Sequence, residues 1–322
     1  MVERAQGIHH ITAIGSDPQQ LVDFYTGVLG LRLVKKSVNQ DDVSAYHLFF
    51  GDRTGEPGMD LTFFTFPGVR RGSHGVGQVT LVSLAVPDQA LDFWQARLER
   101  HGVHHEAVAE RFGLPRLRFY DPDGQQLELV GVPVDQLATQ ASQLWTHADI
   151  GTEQAIRHFH SASLSAASLG SVEPILLQAL GYERVNQDEH RTLYHLEGQQ
   201  RASALEVEEA PGGPAGLNAS GTVHHIAFGA TDEAHQLALR ELVLNMGLHP
   251  TQVIDRYYFK SVYFRIPAGI LFEIATMGPG FTADEDEVTL GERLALPPFL
   301  ESQREQIEAG LPPVHIPAAS TS

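Results

Sequence analysis

The chain has 322 residues, 42% of them hydrophobic, and its 22 basic against 40 acidic residues leave a formal net charge of −18. That length suits two domains, and so acidic a balance argues against nucleic acid or an anionic membrane as a partner. Cysteine is absent, so there are no disulfides, thiolate ligands or Cys nucleophile, and no apolar run approaches the ~18 residues of a membrane span.

Residues 1–6 lack the pattern of a signal peptide. The sequon Asn218-Ala219-Ser220 therefore carries no weight, and the expected location is cytoplasmic. Four stretches then share one plan: a strand, a helix, a Gly-containing break and more strands. The first runs from a strand at His9 to Ile14, through Asp17 as N-cap and a helix over Leu21, Phe24, Tyr25 and Val28, to a break at Leu29-Gly30-Leu31. Its later strands are Ala45 to Phe50 and Asp60 to Phe66. The second has a strand at Gln78 to Val86, Asp88, a helix over Leu91 to Leu98, and strands at Arg116 to Tyr120 and Gln126 to Val130. The turn Asp121-Pro122-Asp123-Gly124 joins that last pair. The third has a strand at Phe159 to Leu164, a helix near Val172 to Ala179, and a strand at Ala204 to Glu208. The fourth has a strand at Val223 to Gly229, Asp232, a helix over Leu237 to Val243, and strands at Ser261 to Ile266 and Gly269 to Ala275.

The plan is α+β, with four βαβββ modules. The expected domains are 7–135 and 153–281, two modules each, followed by a C-terminal helix and tail over 282–322. Residues 136 to 152 are expected to cross between the halves. The acidic run Asp284 to Glu287 reads as solvated surface, and a helix is expected from Pro298 to Ala309.

Two histidine pairs stand at matching places, Gly7-Ile8-His9-His10-Ile11-Thr12 and Thr222-Val223-His224-His225-Ile226-Ala227. Adjacent strand residues point to opposite faces, so one His of each pair is expected on each side of its sheet. Placed in phase, the inner position of the first strand holds His10, Leu81, His160 and His225. The same position of the last strand holds Thr62, Glu128, Glu206 and Glu273. Of the pairings one with four and two with three, only the first supplies two His and one carboxylate, the ligand set of a non-haem Fe(II) centre with open positions. His10, His225 and Glu273 are therefore the predicted metal ligands. His160, Glu128 and Glu206 are read as unmetallated relics of the repeat. Of the 17 histidines most must be ordinary, and His104-His105, without a partner strand, reads as exposed. If the turn Pro267-Ala268-Gly269 centres on Ala268, Tyr263 lies opposite Glu273 and on its face. Arg256 lies upstream and can hold a phenolate or oxyanion.

This fourfold plan resembles the vicinal oxygen chelate superfamily of glyoxalases, bleomycin resistance proteins and extradiol dioxygenases. Within it, Gly7 to Thr12, Val223 to Phe228, Asp255-Arg256, Tyr263 to Pro267 and Phe272 to Thr276 resemble the hydroquinone-type ring-cleaving dioxygenases. The resemblance implies modules closing into two barrels and Fe(II) on the second His of each pair, with Mn(II) or another divalent metal as the alternative. It also implies supporting roles for His9, Thr12, His224, Arg256 and Tyr263. The expected activity is opening of a hydroquinone-like diol with O2. A glyoxalase-type isomerase or lyase and a non-catalytic ligand-binding resistance protein are the rival readings. The expected partners are a small aromatic substrate and O2, with a homo-oligomer left open.

Overall fold

A computed structural model describes residues 3–137, 143–145, 147–199 and 201–316. Module one comprises β1 (Ile8–Gly15), α1 (Pro18–Val22), β2 (Arg32–Asn39), β3 (Asp42–Gly51) and β4 (Asp60–Thr65). Module two comprises β5 (Gln78–Pro87), α2 (Leu91–Arg100), β6 (Ala109–Arg111), β7 (Leu114–Tyr120) and β8 (Gln126–Val132). Module three comprises β9 (His158–Ala166), β10 (Glu183–Gln187), β11 (Arg191–His195) and β12 (Ala204–Glu209), its helical part being a π-helical turn at Ile175–Leu180. Module four comprises β13 (Thr222–Ala230), α3 (Glu233–Asn245), β14 (Ile254–Asp255), β15 (Lys260–Arg265) and β16 (Leu271–Thr276).

Each module contributes four strands to one of two eight-stranded, curled half-barrel sheets. The first has the order β14-β15-β16-β13-β1-β4-β3-β2 and joins modules one and four. The second, β10-β11-β12-β9-β5-β8-β7-β6, joins modules two and three. The expected halves 7–135 and 153–281 thus each give one module to each sheet.

Strand alternation decides what each face carries. On β4, Leu61 and Phe63 enter the main core while Thr62 and Phe64 face the other way, and on β16 Phe272 and Ile274 enter it while Glu273 does not. Full burial of each such core side chain contributes roughly 1.5–3 kcal/mol. The opposite face of the first sheet is covered by a smaller apolar cluster that includes Phe49, Tyr258, Phe259 and Phe281. Gly7 and Gly221 lead into β1 and β13 with φ of 88° and 80°. A Cβ on Gly221 would sit 2.2 Å from the Asp123 carbonyl oxygen, so backbone conformation and space both require glycine there.

Local signals held in part. Asp17 caps α1 by accepting from the Gln19 and Gln20 amides, and Asp232 caps α3 by accepting from His235. Asp88 instead opens a short 3-10 turn, and α2 starts at Leu91. The C-terminal helix is shorter than expected, Arg304–Gly310, because Pro297 and Pro298 set successive turns before it. The expected crossing falls partly on 138–142 and 146, outside the described residues.

The acidic run is solvated only in its second half: Asp286 and Glu287 are exposed, whereas Asp284 is half-buried and Glu285 buried. Lys35 is fully buried on β2, and its Nζ is bonded by Asp284 at 2.7 Å, by Glu285 and by the Phe281 carbonyl at 3.0 Å. A buried ammonium needs such partners, so these acids clamp the C-terminal segment onto the sheet.

Candidate metal centre

The first sheet brings His10, His225 and Glu273 together. One ligand atom from each lies within 4.8 Å of the others, and all three residues are buried. His10 Nε2 is 3.2 Å from His225 Nε2 and 3.3 Å from Glu273 Oε2, and His225 Nε2 is 3.0 Å from the same oxygen. Donors ~2.1 Å from one shared ion and at right angles would lie ~3.0 Å apart. Among the described residues neither Glu273 oxygen has a well-aligned hydrogen-bond donor, although both are enclosed and the ring nitrogens of His10 and His225 lie beside Oε2. An isolated buried carboxylate is costly, so this cluster fits a divalent cation. Burial alone would push the Glu273 carboxyl up, but His10 and His225 outweigh it and hold it well below the usual carboxylate range.

Strict alternation fails at both pairs. β1 and β13 pair antiparallel with register shifts between Ile8 and His10 and between Thr12 and Ala13, where His9 and His224 are the extra residues. These bulges turn each first His toward its neighbour instead of away from it. His9 Nδ1 lies 3.0 Å from His10 Nδ1, and His224 Nδ1 lies 2.8 Å from His225 Nδ1.

The contacts of His9 fix the protonation of a neutral His10. His9 Nε2 is 3.1 Å from the Thr276 carbonyl oxygen, which can only accept, so this nitrogen carries hydrogen. Burial holds the His9 pKa down to about 3, so the ring is neutral and its Nδ1 is bare. His10 Nδ1 must then donate to it, which leaves His10 Nε2 bare and aimed at the cluster.

The same bulges recur in the second sheet, at Thr80 and His160. The parallel registers Ala227↔Glu273 and Ser163↔Glu206 put Ser161, not His160, at the place of His225. His160 is the counterpart of His224; the one-residue error came from counting through a bulge. The second sheet thus offers Leu81, Ser161, Glu206 and Glu128 where the first has His10, His225, Glu273 and Thr62. Its carboxylates are held by arginines: Arg116 Nη1 lies 2.8 Å from both Glu128 and Glu206, and Arg111 reaches both as well.

The other expected residues surround the first centre. Tyr263 pairs directly with Glu273, so the turn does centre as predicted. The Arg256 guanidinium lies 5.5 Å from the Tyr263 ring centre and forms a two-point pair with Asp41 at 2.8 and 3.2 Å. Arg256 belongs to the loop between β14 and β15, whose Tyr257 takes a left-handed φ of 73°. Burial pushes the Tyr263 phenol up, and its nearness to Glu273 adds to this. His224 is lowered to about 4, chiefly by burial. Thr12 Oγ1 accepts from Thr62 Oγ1 at 2.8 Å, and Thr62 in turn meets His47 Nε2 at 2.9 Å.

A narrow cleft opens on the centre. Its walls add residues that sequence reasoning missed: Ser37, Asp41, His47, Phe49, Phe64 and Phe259. The one available signal was His47, a lone polar ring inside the apolar strand Tyr46 to Phe50.

Comparison with known proteins agrees with this picture. The model of the Glyoxalase/Bleomycin resistance protein/Dioxygenase superfamily matches residues 7–129. The chain is 42% identical to "Putative ring-cleaving dioxygenase MhqO" of Bacillus subtilis (strain 168), covering 98% of this chain and 99% of that one. It is 35% identical to the chlorohydroquinone/hydroquinone 1,2-dioxygenase of Sphingobium indicum, covering 95% of each. A crystal structure described as a "putative dioxygenase" from Bacillus subtilis matches with a TM-score of 0.91 at 41% identity, over 98% of this chain and 99% of that chain.

Proposed function

The chain belongs to the glyoxalase/bleomycin resistance protein/dioxygenase superfamily, and from that premise we propose that it is a ring-cleaving dioxygenase that uses ferrous iron and O2 to open a hydroquinone-like diol. The observation that carries this reading is the buried, converging cluster of two imidazoles and one carboxylate, whose oxygens have no well-aligned donor among the described residues. Full-length relatedness to a hydroquinone dioxygenase supports the substrate class. The place held by a second carboxylate in the other sheet is Thr62 here, which suits a site with open positions better than a carboxylate-rich isomerase site.

His10, His225 and Glu273 would hold the metal. When bound, ferrous iron supplies the Lewis acidity and one-electron reactivity that let an aromatic diol react with O2. The protein's own groups do the rest. His9 keeps His10 in the tautomer that presents Nε2. Tyr263 keeps its proton at neutral pH and donates a hydrogen bond to substrate oxygen beside Glu273. Arg256 stays charged and stabilises negative charge developing on that oxygen. The rings of Phe49, Phe64 and Phe259 offer flat apolar walls to an aromatic ring and exclude water. Reconstitution with Fe(II) under anaerobic conditions, then O2 uptake with hydroquinone and catechol side by side, tests the reading. Absence of O2 uptake with either diol would reject it.

A further inference from the structure

Ser37 and His47 are among the polar groups of the cleft that this mechanism leaves unused. Ser37 on β2 and His47 on β3 are direct cross-strand partners, and both line the cleft. Ser37 Oγ is enclosed and has no hydrogen-bond partner among the described residues, an arrangement that costs stability unless something else fills it. His47 engages Thr62 through Nε2 only. His47 Nδ1 has no hydrogen-bond partner among the described residues, and neither has the hydroxyl of Ser37 directly across the strand pair.

We propose that Ser37 and His47 form the subsite for a second ring hydroxyl, the one remote from the metal. The inference rests on the ring-cleaving reading. A phenolic hydroxyl, which both donates and accepts, pairs with His47 Nδ1 in either tautomer and with Ser37 Oγ, whereas a methyl substituent pairs with neither. Position in the sheet selects the para-diol. β3 and β2 lie two and three strands from β1, which carries His10. Each strand adds ~4.8 Å. The oxygens of a para-diol point to opposite ends of the ring, so one faces the metal and the other faces Ser37 and His47. Those of an ortho-diol sit side by side and leave this subsite empty. The tilted packing of His47 against Phe49 and Phe64, with ring centres 3.8 and 4.4 Å away, holds its ring in place.

The test is anaerobic calorimetric binding of hydroquinone, catechol and phenol to the Fe(II)-loaded protein, for the parent, Ser37→Ala and His47→Phe. The parent is expected to bind hydroquinone more tightly than phenol. One lost hydrogen bond weakens hydroquinone about 3- to 10-fold in either variant, while phenol and catechol stay within about twofold. Ser37→Ala removes a single oxygen and decides the matter if His47→Phe does not fold. Equal weakening of all three ligands, no change for hydroquinone, or a parent that does not prefer hydroquinone to phenol would overturn the proposal. The ring-cleaving reading fails separately, by absence of O2 uptake in the parent.

Discussion

His10 and His225 stand 215 positions apart in the chain, yet their Nε2 atoms lie 3.2 Å from each other. The antiparallel pairing of β1 with β13 creates this contact by joining the first module to the last. The centre therefore exists only when both ends of the chain have folded together, and neither half can make it alone.

Replacing His10, His225 or Glu273 with Ala should each reduce bound iron to near zero and abolish O2 uptake. Metal analysis of the purified variants measures this. Stoichiometric iron in any of them would remove that residue from the ligand set.

His9→Ala should behave differently. It removes the acceptor that fixes the His10 tautomer but no ligand, so affinity for iron should drop ~10–100-fold with some metal retained. If His9→Ala is metal-free while His10→Ala keeps its iron, the two histidines have exchanged roles.

Arg256→Ala should raise KM and lower kcat together for hydroquinone, with kcat/KM falling ~10²–10³-fold. Catechol should suffer less, because its two adjacent oxygens can already fix it on a metal. Steady-state kinetics on both diols checks this, and equal losses would discard the role assigned to Arg256.

Acid should destabilise the metal-free fold. Burial holds His9, His158 and His224 down to about 3, 4 and 4, and lowers His47, His160 and His225 as well. Below about pH 6.5 the unfolded chain protonates these groups and the folded one does not, so stability falls as pH falls. Asp121, pushed up to about 7 by burial, and Asp60 act in the opposite sense, because the folded state protonates them first. The histidines outnumber them. The slope is roughly 1.4 kcal/mol per pH unit for each net proton. Urea midpoints at pH 7.5 and 5.5 should show the loss, and a higher midpoint at 5.5 would contradict it.

Arg116→Ala in the second sheet should destabilise the protein by ~3–5 kcal/mol, because it strips a shared partner from buried Glu128 and Glu206. Urea unfolding measures the loss. Iron content per folded molecule should stay at the parental level; loss of iron would show that the second sheet, too, takes part in metal binding.

Much of this was legible in the sequence because strands and helices obey simple periods. The fourfold plan, the facing of Tyr263 and Glu273 and the meeting of modules one and four all follow from alternation and repeat phase. What failed did so where one residue breaks the period. The bulges at His9, His224 and His160 reverse the expected facing, and no local signal marks a bulge that contains no glycine. Tertiary partners were equally hidden. Nothing near Lys35 announces that Asp284 and Glu285 will neutralise it, and nothing near Ser37 shows that its hydroxyl ends in a cleft beside His47.

The most direct test of the central claim is mass spectrometry of the product formed from hydroquinone and 18O2 by the Fe(II)-loaded protein. The account predicts one O2 consumed per hydroquinone, with both labelled atoms in a ring-opened product, and no turnover by Glu273→Ala. Conversion without O2, a product with an intact ring, or full turnover by Glu273→Ala would contradict it.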